Sequence, residues 1–169
     1  MTGPECRVDV VLSTYNGGEF LEQQIDSILA QGYRNLRVLA RDDGSSDRTT
    51  AILDFCAARE RERFLVIPTE GRRLGPCASF SLLLEQCGAQ YVVLCDQDDV
   101  WLPGRIEHLL WAAQRLERRY GVEAPVLVHS DLVVVDRCLR TLHPSFWRMR
   151  GIDPIRGALL QRLLVQNVV

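Results

Sequence analysis

Apolar and polar positions alternate between two periods along this chain of 169 residues. Short apolar runs bounded by turn residues read as buried strands at residues 8–12, 36–40, 64–67 and 91–95. Between them the spacing turns helical. Phe20, Ile25, Ile28 and Leu29 form a stripe that predicts a helix over residues 19–31. Asp47 is placed to cap a helix over 48–59, whose inward stripe is Ile52, Leu53 and Cys56 with Phe55 beside it. A third helix is expected over 78–87, ended near Gly88. Pro103 suits the first turn of a long helix reaching about residue 119. Further strands are expected at 126–129 and 132–135. Strands that alternate with helices argue for an α/β fold, a mostly parallel sheet with helices on both faces. No repeat, low-complexity tract or linker divides the chain, so a single domain over 1–169 is expected. Residues 69–76, with Gly71, Arg72, Arg73 and Gly75, read as the mobile loop. The run from Leu163 to Val169 is apolar and strand-like, which suits a C-terminally truncated chain.

Composition narrows the picture by exclusion. The net charge is -2, which gives no basic footprint for nucleic acid. All 20 basic residues are arginine. A lysine Schiff base and a phosphate-loop lysine are therefore ruled out. The six cysteines show neither Cys-x-x-Cys spacing nor paired histidines, which argues against zinc. Most lie in apolar periodic segments, as free cysteines of a reducing cytoplasm do. No signal peptide is visible, and no apolar run approaches the ~18 residues of a membrane span.

The chemistry concentrates at predicted strand ends. Asp96-Gln97-Asp98-Asp99 follows the apolar run 91–95 directly. Two carboxylates about 4 Å apart repel by roughly 4 kcal/mol at an effective dielectric near 20. A divalent cation, a proton or solvent must offset that repulsion. The bland alternative is an exposed acidic turn. The first strand ends at Ser13-Thr14-Tyr15-Asn16-Gly17-Gly18, which can hold a flat ring and offer amides to an anion. The second ends at Arg41-Asp42-Asp43-Gly44, where a carboxylate can accept from a base N–H or a ribose hydroxyl. In a parallel sheet these three ends lie along one edge. A base, its ribose and a metal-bound diphosphate fit that order.

These motifs carry a resemblance. Residues 10–17, then Asp42-Asp43-Gly44-Ser45-Ser46-Asp47, then Asp96-Gln97-Asp98-Asp99-Val100-Trp101-Leu102-Pro103, resemble the family-two glycosyltransferases of the GT-A, nucleotide-diphospho-sugar transferase, fold. The runs at 129–136 and 163–169 resemble the rhamnosyltransferase-like branch. The resemblance implies an inverting transfer of a sugar from a nucleotide-diphosphate donor to a glycan or lipid-linked acceptor, in cell-surface polysaccharide synthesis. By the same analogy Ser13, Tyr15 and Asp43 hold the base, and Asp96 lies near the ribose and diphosphate. Asp98 ligates Mg2+ or Mn2+, with Asp99 close by. Such a cation takes one or two protein carboxylates, so the aspartates are not all expected as direct ligands. The family's general base lies C-terminal to this region and is expected beyond Val169; Asp131 is the nearest internal candidate. Ala78 and Ser79 stand where members often carry an asparagine or a basic residue. Arg72 and Arg73 are within reach of the diphosphate on this reading.

Two other readings stay open. One is a nucleotidyltransferase, although the Gly-rich, basic phosphate loop it needs near the N-terminus is absent. The other is a nucleotide-sugar-binding fragment without turnover. A cytoplasmic location, at the inner face of a membrane through peripheral association, fits the acceptor class.

Overall fold

The computed structural model describes residues 6–69 and 71–153. The run from Leu163 to Val169, read above as strand-like, lies outside them. The described chain forms two compact units, divided between Leu110 and Trp111.

In the first unit, β1 (Val8–Thr14), β2 (Leu36–Asp42), β3 (Phe64–Val66) and β4 (Tyr91–Cys95) pair in parallel in the order β3-β2-β1-β4. The strands are joined by α1 (Leu21–Leu29), α2 (Thr49–Arg59) and α3 (Pro76–Glu85). The register aligns Thr14 with Asp42 and Leu12 with Cys95, so the carboxyl ends of β1, β2 and β4 reach one edge together. The chain reverses its direction of travel across the sheet between β1 and β4. That is the crevice where open α/β sheets take ligands.

Alternation along β1 divides the core between the two sheet faces. Val8, Val10 and Leu12 pack in one cluster with Leu21, Ile25 and Ile28 of α1 and Leu53 and Cys56 of α2. Val11 joins Leu39 and Leu83 of α3 in another. Both faces of β1 are therefore buried, which explains its continuous apolar run. Asp9 is the exception. It is fully buried and accepts from Arg37 and from the Gly88 and Ala89 amides, fastening the turn before β4 to β1. Ile106 and Leu110, on the first turns of α4 (Arg105–Tyr120), complete the first cluster.

Several expectations are corrected at element ends. Asp47 is not the N-cap of α2; Arg48 occupies that position. Asp47 instead accepts from the Thr49 amide and hydroxyl and from the Gly18 amide, so it ties two loops together. Pro103 precedes α4 by two residues rather than opening it. Phe55 is 60 % exposed beside the buried stripe. In the second unit, residues 126–129 form no strand, and 132–135 yields only β5 (Val134–Val135). This strand pairs antiparallel with β6 (Thr141–His143), ahead of α5 (Phe146–Arg150). A strand exists only with a partner. The apolar pattern there has none among the described residues, and Leu127 stays 61 % exposed.

Candidate functional site

The loops after β1, β2 and β4 enclose a cavity of about 310 Å3. Ser13, Tyr15 and Asp43 line it, together with Asp96 and Asp98. The structure thus brings together most of the residues singled out by sequence. Asp99 is not among the lining residues. Gln97, Arg73, Gly75, Pro76 and Phe80 also face the cavity.

A buried guanidinium organises one end. Arg41, 1 % exposed, is the penultimate residue of β2. Its Nη1 donates to Asp43 Oδ1 at 2.7 Å and to Ser79 Oγ at 2.8 Å, and its Nη2 donates to the Arg72 carbonyl at 2.9 Å. Asp43 also accepts from the Leu74 amide at Oδ1 (2.7 Å) and the Gly75 amide at Oδ2 (2.8 Å). Each carboxylate oxygen can accept about two bonds, so one acceptor position on Oδ2 remains for a ligand. Burial pushes the Asp43 carboxyl up. The Arg41 hydrogen bond, the two amides and the Arg41 charge outweigh it and hold the group below the usual carboxylate range. Within the loop expected to be mobile at 69–76, residues 72–75 are fastened at three points, to Arg41 of β2 and to Asp43 just beyond it.

Ser79 is fully buried and accepts from both Arg41 and Ser13 Oγ (2.8 Å). The position that departed from the family pattern is thus the joint between β1, β2 and α3. Asp42 serves its own loop: its Oδ2 accepts from the Gly44 and Ser45 amides, and its Oδ1 from the Thr14 and Ser45 hydroxyls. Gly44 turns there at φ 87°, where a side chain would be strained. Asn16, at φ 49°, accepts from the Ser46 amide and so joins the β1 and β2 loops.

Tyr15 presents its ring at the cavity wall, with the Arg73 guanidinium 3.9 Å from the ring centroid. Gln97 fixes the Tyr15 backbone. Its Oε1 accepts from the Tyr15 amide at 2.8 Å and its Nε2 donates to the Tyr15 carbonyl at 3.2 Å. This amide clamp spans the crevice between β1 and β4. It requires a glycine at position 17, where a Cβ would lie 2.4 Å from Gln97 Oε1.

The acidic end behaves differently. Burial raises the Asp96 carboxyl above its usual range, and the Asp98 charge adds to the rise. Burial also raises Asp99, reinforced by Asp96 and Asp98 and opposed by Arg105. Among the described residues, no three His, Cys, Asp or Glu side chains converge as a ready protein cage for a metal. An oxygen-only set with few carboxylates fits a cation that keeps waters and phosphate oxygens as its other ligands. Trp101 is buried behind the loop, with the Arg105 guanidinium 5.2 Å from its ring.

Asp131 belongs to the second unit. It accepts from the Leu132 amide (2.8 Å), the Trp147 amide (3.0 Å) and the Ser145 hydroxyl. Burial raises its carboxyl, but these bonds bring the net shift below the usual range. The arrangement fastens the start of α5, and it suits a structural carboxylate better than a proton acceptor. The other expected place for the general base, beyond Val169, lies outside the described residues. In the second unit the Trp147 and His129 rings also meet edge to face at 5.6 Å.

Sequence reasoning gave no role to Arg41 or Gln97 and read Ser79 only as a departure. A signal for Arg41 was present. Residues i and i+2 of a strand share a face, so a charge at the end of a buried strand two positions before Asp43 is a candidate partner.

Comparison with known proteins follows the same lines. The model of Glycosyl transferase family 2 matches residues 9–149. A glycosyltransferase-named protein of Bacillus subtilis (strain 168), EpsE, is 34 % identical over 134 residues, 79 % of this chain and 47 % of EpsE. A mannosyltransferase of Pyrobaculum calidifontis, solved in complex with GDP-Man and Mn2+, aligns with TM-score 0.53 and 26 % identity over 57 % of this chain and 28 % of that one. S. aureus TarS 1-349, solved with UDP-GlcNAc, aligns with TM-score 0.55 and 20 % identity over 76 % of this chain and 40 % of that one, a likeness of fold. This chain spans less than half the length of each of these proteins.

Proposed function

Since the chain belongs to Glycosyl transferase family 2, we propose that its cavity binds a nucleotide-diphospho-sugar donor for inverting, metal-assisted transfer to a glycan or lipid-linked acceptor. One observation carries the reading. One cavity is lined by Tyr15 and the oriented Asp43 carboxylate, from the loops after β1 and β2, and by Asp96 and Asp98, from the loop after β4 on the other side of β1. That is the order base, ribose, diphosphate.

On this reading Tyr15 offers its ring to the base, and Asp43 Oδ2 accepts from a base N–H while Ser13 holds the wall beside it. Asp96 lies near the ribose and diphosphate. Asp98 would hold Mg2+ or Mn2+, with Asp99 beside it. Such a cation, when bound, offsets the charge that develops on the leaving diphosphate. The mannosyltransferase solved with GDP-Man and Mn2+ supports the donor class and the cation. A hexosyl or deoxyhexosyl donor, with rhamnose favoured by the 129–136 run, completes the proposal. A place at the inner face of a membrane follows from the acceptor class. No helix of the described residues is long and apolar enough to cross a membrane.

The test is calorimetric titration of UDP, dTDP and GDP in Mn2+ and in EDTA. The expected result is at least about tenfold tighter binding of one of them in Mn2+, which is about 1.4 kcal/mol. A folded sample that shows no metal-dependent binding overturns the reading.

A further inference from the structure

α1 carries polar side chains on a face that should be apolar. Gln24 is fully buried among Leu21, Ile25 and Ile28, and Gln31, just past the helix, is 5 % exposed. Ser27 lies between them. Spacings of three and four residues put Gln24, Ser27 and Gln31 along one side. Buried amides and hydroxyls cost stability unless they find partners. Here the partners are far along the chain.

Gln24 Nε2 donates to the Cys95 sulfur at the end of β4. Ser27 Oγ donates to the Gln24 carbonyl at 2.7 Å and accepts from the Trp101 amide at 2.9 Å. Gln31 Nε2 donates to the Leu102 carbonyl at 3.1 Å, and its Oε1 accepts from the Ile106 amide at 3.4 Å. The attachment points therefore bracket residues 96–99 on both sides. None of the three side chains lines the cavity.

We infer that Gln24, Ser27 and Gln31 are positioning residues that hold the acidic loop, residues 96–99, in the geometry that receives the divalent cation. The inference rests on the donor reading proposed above. The physical case is that three like charges in four residues push the loop apart. The clamp uses neutral groups, so it fixes backbone position without neutralising the carboxylates. A Mg2+ or Mn2+ site depends on that precision, because a ligand displaced by about 1 Å loses the ion. Ser27 and Gln31 also bond locally, to the Gln24 and Ser27 carbonyls, but a stripe needed only for core packing would be apolar or would bond there alone.

The variants are Ser27→Ala and Gln31→Met, with Ser27→Thr retaining the hydroxyl. Two measurements are made on each: amide hydrogen exchange of the metal-free chain over residues 96–106, and titration of the nucleoside diphosphate that the parent chain binds, in Mn2+ and in EDTA. The expected result is faster exchange at Trp101 and its neighbours. Mn2+-dependent binding weakens about tenfold while binding in EDTA stays within about twofold, and Ser27→Thr behaves as the parent. Equal losses in Mn2+ and EDTA, or an unchanged metal gain in a variant whose exchange has risen, overturn the inference. If Ser27→Ala does not fold, Gln31→Met carries the same comparison. A parent chain without any metal gain defeats the donor reading instead, and the exchange data then judge the clamp alone.

Discussion

Replacing Arg41 by methionine removes the cation paired with Asp43 while keeping most of the side chain's volume. Arg41 and Asp43 are 1 % and 4 % exposed, so water cannot take the guanidinium's place without opening the structure. Removing one partner of a buried ion pair costs roughly 3–5 kcal/mol, because the other charge is left uncompensated. Asp43 keeps the Leu74 and Gly75 amides, which places the expectation near the lower end, about 3 kcal/mol. The Ser79 hydroxyl and Arg72 carbonyl lose a donor as well. For a chain of this size that corresponds to a fall in Tm of roughly 6–12 °C. Urea and thermal unfolding followed by circular dichroism measure it. The decisive variant is Arg41→Met with Asp43→Asn. If the cost is that of a stranded carboxylate, the double variant is more stable than the sum of the single losses predicts, by about 1.5–3 kcal/mol. Strict additivity, or a loss under about 1 kcal/mol for Arg41→Met, would refute the assignment of Arg41 as the partner of Asp43.

Two further expectations concern the surroundings of the site. Burial raises the Asp9 carboxyl, but Arg37 and the Gly88 and Ala89 amides bring it below its ordinary value in the fold. The unfolded chain therefore binds this proton more readily than the folded one. The stability from Asp9 is fully present above its unfolded pKa of about 3.9 and is lost as pH falls through the lower folded value; unfolding free energies at pH 5 and pH 3 should differ less in Asp9→Asn than in the parent. The second concerns the Gln97 clamp. Gly17→Ala should drive the Gln97 side chain off the Tyr15 backbone and cost about 1–2 kcal/mol by urea unfolding, and the same substitution added to Gln97→Ala should cost little more.

The fold was legible wherever an apolar run is bounded by turn residues, whether buried on both faces like β1 or partly exposed like β4. The apolar runs at 8–12 and 91–95 became β1 and β4, with β1 extended by two residues into Thr14, which hydrogen-bonds the Asp42 side chain. Legibility failed where pairing decides structure. Val126, Leu127 and Val128 have strand composition, but composition does not supply a partner. At the site, acidic and aromatic residues at strand ends were readable because buried sheets rarely end that way. The residues that position them were not. Gln24, Ser27 and Gln31 look like the solvated face of α1, and only the return of the chain at β4 and α4 turns that face inward. Ser79 looked like a loss of function because the donor that gives it a role, Arg41, comes 38 residues earlier.

The two ends of the cavity answer the same electrostatic problem in opposite ways. Beside β2, Asp43 has its counter-charge built in as Arg41, and Asp42 is satisfied by neutral donors from its own loop. Asp43 is thus compensated within the protein, and the Arg73 guanidinium over the Tyr15 ring adds positive charge at the cavity wall. At the acidic end, burial raises the Asp96 and Asp99 carboxyls, the Asp98 charge adds to both, the Asp96 charge adds at Asp99, and Arg105 opposes the rise at Asp99. The groups that fasten the ends of that loop are amides and hydroxyls, which add no positive charge. A diphosphate without a cation would meet the repulsion of these carboxylates there, while one carrying a divalent cation would bring positive charge to them. The proposed preference for the metal complex of the donor is therefore a consequence of where the chain leaves its charge unpaired. For this reason the difference between Mn2+ and EDTA, rather than affinity alone, is the quantity that separates a nucleotide-sugar site from an acidic turn.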